Sequence, residues 1–226
     1  KLWPVPLLTQ EKVDQAMRED KEAALREYKN IFTSEGGDGQ AIKRATIIRN
    51  SVSRPPKLRS DDPNSKWALL FDSARAKDNS VVLCAEYVND PVVGWKMKIQ
   101  NVVNLLNVMK KHKTPMTTPN QIKEVKRLLL AYNGDGVADY ENILGFRIDA
   151  GSGGAGVNIS DFFWEDWEDD NGIVHRGMID KEYSPEEVRL YPNAIIDKMR
   201  LLQPTKYKVE MFRALIEMMD MNLIEW

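Results

Sequence analysis

Two short apolar runs, each closed by an aspartate, constrain this chain more than any other feature. Trp67-Ala-Leu-Leu-Phe71 leads directly into Asp72, and Ile143-Leu-Gly-Phe-Arg-Ile148 leads directly into Asp149. Runs of this length, rich in aromatic and branched residues, read as buried strands. A carboxylate at the end of a buried strand is costly unless a partner, a hydrogen-bond network or a metal meets it. Open α/β sheets also place their sites at strand ends. If the two strands are neighbours, both acids stand at one sheet edge and offer oxygen to a hard divalent cation. Such ions serve phosphodiester cleavage by activating water and stabilising the leaving oxygen. The plainer alternative is that Asp72 and Asp149 only cap turns, a common use of Asp.

The surrounding pattern predicts an α/β chain. Residues 80–88 make a second strand candidate, with Lys77-Asp78-Asn79 as the turn before it. A third alternates, with Trp95, Met97 and Ile99 on one side and Lys96, Lys98 and Gln100 on the other. Together these predict an antiparallel three-strand meander with one wet face. Pro119 opens a helix with an apolar stripe of Ile122, Val125, Leu128, Leu129 and Tyr132. Helices are also expected over 157–167 and 206–219, the latter striped by Val209, Phe212, Leu215, Ile216 and Met219. Trp164, Trp167, Met211, Met218 and Met219 read as core. Upstream, 8–32 reads as a helix capped by Thr9 and ended by the glycines of 34–39. A β-like run covers 45–51, and the prolines of 54–64 make a linker. The expected organisation is a helical extension over 1–44 and a mixed-sheet domain over 45–226.

Composition narrows the chemistry. Among 226 residues there is one cysteine and there are two histidines, so an internal disulfide and a cysteine-based zinc site are excluded. Any metal must therefore be held by carboxylates. No run approaches the ~18 apolar residues of a membrane helix, and Lys1-Leu-Trp-Pro4 does not open a signal peptide. Without an initiator Met, and ending on Leu223-Ile-Glu-Trp226, the chain is expected to be a piece of something longer.

The net charge of −2 conceals segregation. Residues 41–60 carry Lys43, Arg44, Arg49, Arg54, Lys57 and Arg59 without an acid, and 91–119 carry five lysines without one. Six acids crowd 161–170. Charge runs are often solvated faces, but the basic ones also suit a phosphate backbone. Arg49, Arg54 and Lys57, with Arg75 and Lys77 near the first acid, are the candidates for that contact.

Weaker motifs take plainer readings. Gly151-Ser-Gly-Gly-Ala-Gly156 precedes a helix but lacks the Lys-Ser/Thr of a Walker loop. It leaves the backbone free to approach a ligand closely. Asn133–Asp139 lacks the acids of a calcium loop and reads as a glycine-rich turn, and His175 reads as a strand residue. Asp78 reads first as a turn residue and second as a further ligand.

The segments 67–82 and 146–157 together resemble the two acidic strand motifs of the nuclease domain in large terminase subunits of tailed bacteriophages. Tyr191-Pro-Asn-Ala194, and Lys206 onward to Glu225, are similar to that family's downstream part. The resemblance spans about residues 45–226. It implies an RNase H-like fold and a Mg²⁺- or Mn²⁺-dependent endonuclease, with two ions expected. Its substrate would be double-stranded DNA concatemers, cut during genome packaging in the host cytoplasm. The implied partners are a terminase ATPase domain, the small terminase subunit and the portal. Carried over by motif, Asp72 and Asp149 become metal ligands and Asp78 a further catalytic acid. The family's acid after its final helix has no match before Trp226; Asp220 and Glu225 lie near but in no matching pattern. No Walker loop occurs, so the packaging ATPase itself is not expected here.

Two other readings remain open from the residues. One is an actin-like or sugar-kinase-type nucleotide-binding fragment, which needs two phosphate loops where one glycine loop occurs. The other is a catalytically silent DNA-binding module of the packaging motor, its acids serving as turn caps.

Overall fold

The computed structural model describes residues 9–19, 21–29, 42–74, 79–107, 114–151 and 155–226. Arg75, Lys77 and Asp78 lie outside these, as do all the 34–39 glycines and residues 152–154 of the later glycine-rich loop. In chain order the helices are α1 (Gln10–Glu19), α2 (Lys21–Lys29), α3 (Arg44–Asn50), α4 (Thr118–Asn133), α5 (Ala155–Ser160) and α6 (Pro204–Asp220). The strands are β1 (Lys66–Asp72), β2 (Val81–Asp90), β3 (Gly94–Asn104), β4 (Leu106–Asn107), β5 (Thr114–Pro115), β6 (Ile143–Asp149), β7 (Trp167–Glu168), β8 (Val174–His175), β9 (Met199–Leu202) and β10 (Ile224–Glu225). The chain divides into two units, residues 1–51 and 52–226.

In the second unit, Trp67, Leu69 and Phe71 of β1 are almost wholly buried while Leu70 and Asp72 are exposed, the two-residue alternation of a strand. β1 pairs antiparallel with β2, and β2 with β3, so the expected meander is present. On its other side β1 pairs parallel with β6, which pairs parallel with β9. With β10 parallel to β3, the mixed sheet runs β10-β3-β2-β1-β6-β9. Helix α4 closes one face: Ile122, Val125, Leu128, Leu129 and Tyr132 join Trp67, Phe71, Ile143, Phe146 and Ile148 in one core. The Trp67 and Tyr132 rings lie 4.6 Å apart. Cys84, at the middle of β2, is completely buried, and burial pushes its thiol up to about 12.

The third strand does not alternate as cleanly as expected: Met97, Lys98 and Ile99 are all half-buried, and its most buried residues are polar. Lys96 and Gln100 are 7% and 6% exposed, whereas Trp95 is 63% exposed. Lys96 reaches Glu225 at 3.0 Å, and Gln100 donates to Glu86 at 2.5 Å. These partners lie far along the chain, and buried polar groups persist where such partners meet them.

Other local expectations also change. The β-like run at 45–51 is helix α3, which places Thr46 and Asn50 on one buried side, and Ser51 closes it by donating to Ile47 O. The helix expected at 157–167 stops after α5 and a 3₁₀ turn at Asp161–Phe163, because Trp167 and Glu168 instead pair with β8. Within the helix expected over 8–32, the described residues form α1 and α2, with the Lys12 amide donating to Thr9 Oγ1 at the start. His175 is a strand residue as expected. Among the described residues no helix is long and apolar enough to cross a membrane.

Helix α6 links β9 at one sheet edge to β10 at the opposite edge. Its 17 residues span ~25 Å at ~1.5 Å each, close to the ~24 Å of five strand spacings. Its apolar stripe is largely uncovered: Val209, Met211 and Phe212 are exposed, and only Met219 is buried. The core role expected of Met211 is therefore not met.

Candidate active site

Parallel pairing sets the geometry of the two acids. Phe71 is in register with Ile148, so Asp72 and Asp149, one residue on, stand side by side at the same end of adjacent strands. Neighbouring strands lie ~4.8 Å apart. Since Phe71 and Ile148 are buried in the α4 core, the alternation turns both carboxylates toward the opposite face. Asp72 is exposed and Asp149 half-buried.

Asp149 is held in place. Its Oδ1 accepts the Gly151 amide at 2.8 Å, and the Ala150 amide donates to Leu202 O at 2.7 Å, tying the strand end to β9. The first of these is the turn-capping contact that the plainer reading expects. A Cβ on Gly151 would stand 3.3 Å from Asp149 Oδ1 and 3.9 Å from Pro204 Cδ, so a side chain here would ask the carboxylate to give by a few tenths of an ångström. The same contact shows that α6 begins beside this edge. Arg147 shares the face of Asp149 two residues earlier, a polar residue inside an apolar run. Its guanidinium folds back over Gly145 and donates to Lys198 O at 3.0 Å, away from the strand end. Burial, then nearby Arg200, lowers its pKa.

Two adjacent carboxylates are the oxygen donors a hard divalent cation takes. Among the described residues no group of three or more His, Cys, Asp or Glu is placed to hold a metal. Asp78, the further acid that the resemblance implies, lies outside the described residues. Glu225 is not a candidate third ligand: β10 lies at the far edge, and Glu225 is bound to Arg54 at 2.6 Å and Lys96 at 3.0 Å.

The basic residues divide sharply. Arg54 pairs with Glu225, and Lys57 contacts both Glu86 oxygens, at 3.1 and 2.9 Å. Glu86 is a hub, also receiving Ser65 Oγ at 3.0 Å and Gln100. The charge of 52–60 that looks unopposed in sequence is thus substantially neutralised inside the molecule. Arg49, in the first unit, donates to Asn50 Oδ1 at 3.2 Å. By contrast Lys206, Lys208 and Arg213 are exposed on α6, and none of them forms a salt bridge among the described residues. Sequence reasoning treated α6 only as an apolar stripe and missed them; its signal was three cations against one acid over residues 205–214.

A cavity of about 1090 Å³ lies elsewhere, between α4 and the β7–β8 hairpin. Lys126 lies over the Trp167 ring there at 5.0 Å, while Lys123, Arg127 and Arg176 are paired with acids. Neither strand-end aspartate lines it.

No protein-family model matches the sequence, and no curated protein matches it.

Proposed function

We propose that this chain is a metal-dependent endonuclease acting on double-stranded DNA, built on an RNase H-like sheet. The observation that carries the reading is the registered placement of Asp72 and Asp149 on adjacent parallel strands, with both carboxylates on one face. The meander followed by parallel strands supports the RNase H-like part. Asp72 and Asp149 would hold Mg²⁺ or Mn²⁺, which when bound supplies Lewis-acid chemistry for phosphodiester hydrolysis. The protein's own contribution is positional: Gly151 fixes one oxygen of Asp149, and exposed Asp72 faces the approaching backbone. The family resemblance extends the reading to packaging of viral DNA in a host cell, alongside an ATPase domain, a small subunit and a portal.

One observation favours a second reading. The Asp149–Gly151 contact is also what a turn cap requires, and a silent DNA-binding module needs nothing more. A nicking assay separates the two. Asp72→Asn and Asp149→Asn should each abolish Mn²⁺-dependent nicking of plasmid without altering thermal unfolding, since Asn keeps the size but removes the charge. Near-normal cutting by either variant removes that residue from the site. Absence of cutting by the wild type, with DNA binding retained, selects the silent module.

A further inference from the structure

We infer that the first half of α6 is the surface that holds the DNA backbone beside the two aspartates, an inference that rests on the nuclease reading. Its place in the fold comes first. α6 follows β9 directly, Leu202 of β9 is in register with Asp149, and Pro204 lies against the Gly151 turn. The helix therefore starts beside the strand ends where the carboxylates stand, and residues 205–214 cover ~15 Å along its axis. Its exposure is second. Every residue from 205 to 214 is exposed, and Tyr207, Val209 and Phe212 are 47%, 58% and 54% exposed.

Charge names the occupant. Lys206, Lys208 and Arg213 stand against the single Glu210 over this stretch, and no described carboxylate pairs with them. Elsewhere in the same unit, cations that seemed equally available are committed: Arg54 to Glu225, Lys57 to Glu86, Arg176 to Asp139 and Lys123 to Asp170. A polyanion is the complement of a cationic surface left unpaired next to an acid site. Tyr207, which carries Lys206 Nζ 5.2 Å from its ring, adds a flat exposed group for the sugar. Such contacts position a duplex without reading its sequence.

The test uses the whole chain and a short fluorescent duplex, titrated without divalent cation across a range of salt. The variant Lys206→Gln/Lys208→Gln/Arg213→Gln should weaken binding about tenfold or more at low salt. It should also flatten the slope of log affinity against log salt, by about 0.9 for each phosphate that the variant no longer neutralises. Circular dichroism checks that the helix is retained, and Lys206→Arg/Lys208→Arg/Arg213→Lys should restore binding. Asp72→Asn removes a negative charge beside the backbone and should not weaken this cation-free binding, which separates the surface from the chemistry. Unchanged affinity and slope in the glutamine variant, with wild-type cutting intact, overturn this inference alone. A wild type that neither binds nor cuts duplex overturns the nuclease reading with it. Binding to phosphatidylserine vesicles that the glutamine variant abolishes, with duplex binding unaffected, makes α6 a lipid-facing helix and also overturns the proposal.

Discussion

Helices α4 and α6 start from similar sequences and reach different surroundings. Each begins with a proline in its first turn, runs 16 or 17 residues and carries a wide apolar stripe. In α4 the five stripe residues are no more than 5% exposed, sealed against β1 and β6. In α6 Val209 and Phe212 remain more than half exposed. An amphipathic pattern therefore specifies a helix and the side that prefers cover, but not what covers it. The strands beneath α4 present Trp67, Phe71 and Phe146, whereas the first half of α6 has no comparable floor among the described residues.

The largest test of this contrast is truncation. Leu129→Ala should cost about 3 kcal/mol, because Leu129 is fully buried and its loss leaves a cavity. Phe212→Ala should stay within about 0.5 kcal/mol despite removing more atoms. Urea denaturation with an unchanged m-value measures both. A large loss at Phe212 would mean that α6 is covered in solution.

A smaller effect should come from a single hydroxyl. Tyr132 of α4 donates to Lys57 O at 2.6 Å and accepts from Asn101 at 3.0 Å, pinning the helix to the proline-rich segment and to β3. Tyr132→Phe strands both partners and should cost about 1–2 kcal/mol. Tyr207→Phe on α6 should leave stability unchanged in the same melts. Equal losses would erase the distinction between an anchored and an unanchored helix.

The smallest effect should appear in acid, on the outer side of α4 where the β7–β8 hairpin lies. Asp169 accepts the Ile173 and Asn171 amides and meets His175, and these contacts hold its carboxyl at about 2, below the ordinary 3.8. A depressed carboxyl stabilises the fold above its ordinary value, and that contribution fades as pH falls from about 4 to about 2. Trp167 fluorescence, with Asp169→Asn as the reference, should report hairpin loosening in that window. A wild-type acid transition identical to that of the Asn variant would assign the loosening to other groups.

The readable and unreadable parts of this molecule differ in how far away the deciding partner lies. β1, β6 and α4 were legible because each carries its own period and its own boundary residues. The adjacency of Asp72 and Asp149 followed from two strand ends and the assumption that those strands pair. The buried side of β3 was not legible. Lys96 is inside only because Glu225, more than a hundred residues on, meets it, and Gln100 because Glu86 does. The same distance misled the reading of Arg54 and Lys57, whose neutralising acids lie outside their segment. At 45–51 the error was local: Thr46, Ile47 and Ile48 favour strands, but no neighbouring strand among the described residues pairs with them.

The lone thiol turns the centre of the sheet into a clock. Cys84 stands in β2 between Leu69 of β1 and Asn101 of β3. With its pKa near 12, on the order of one thiol in ten thousand is ionised at pH 8 while the sheet is closed. A thiol reagent should therefore label the chain only when the meander parts, and the labelling rate would time that opening. Because this is the sole cysteine, the signal comes from a single place. A ligand that fastens the strand ends would slow the clock without touching the sulfur.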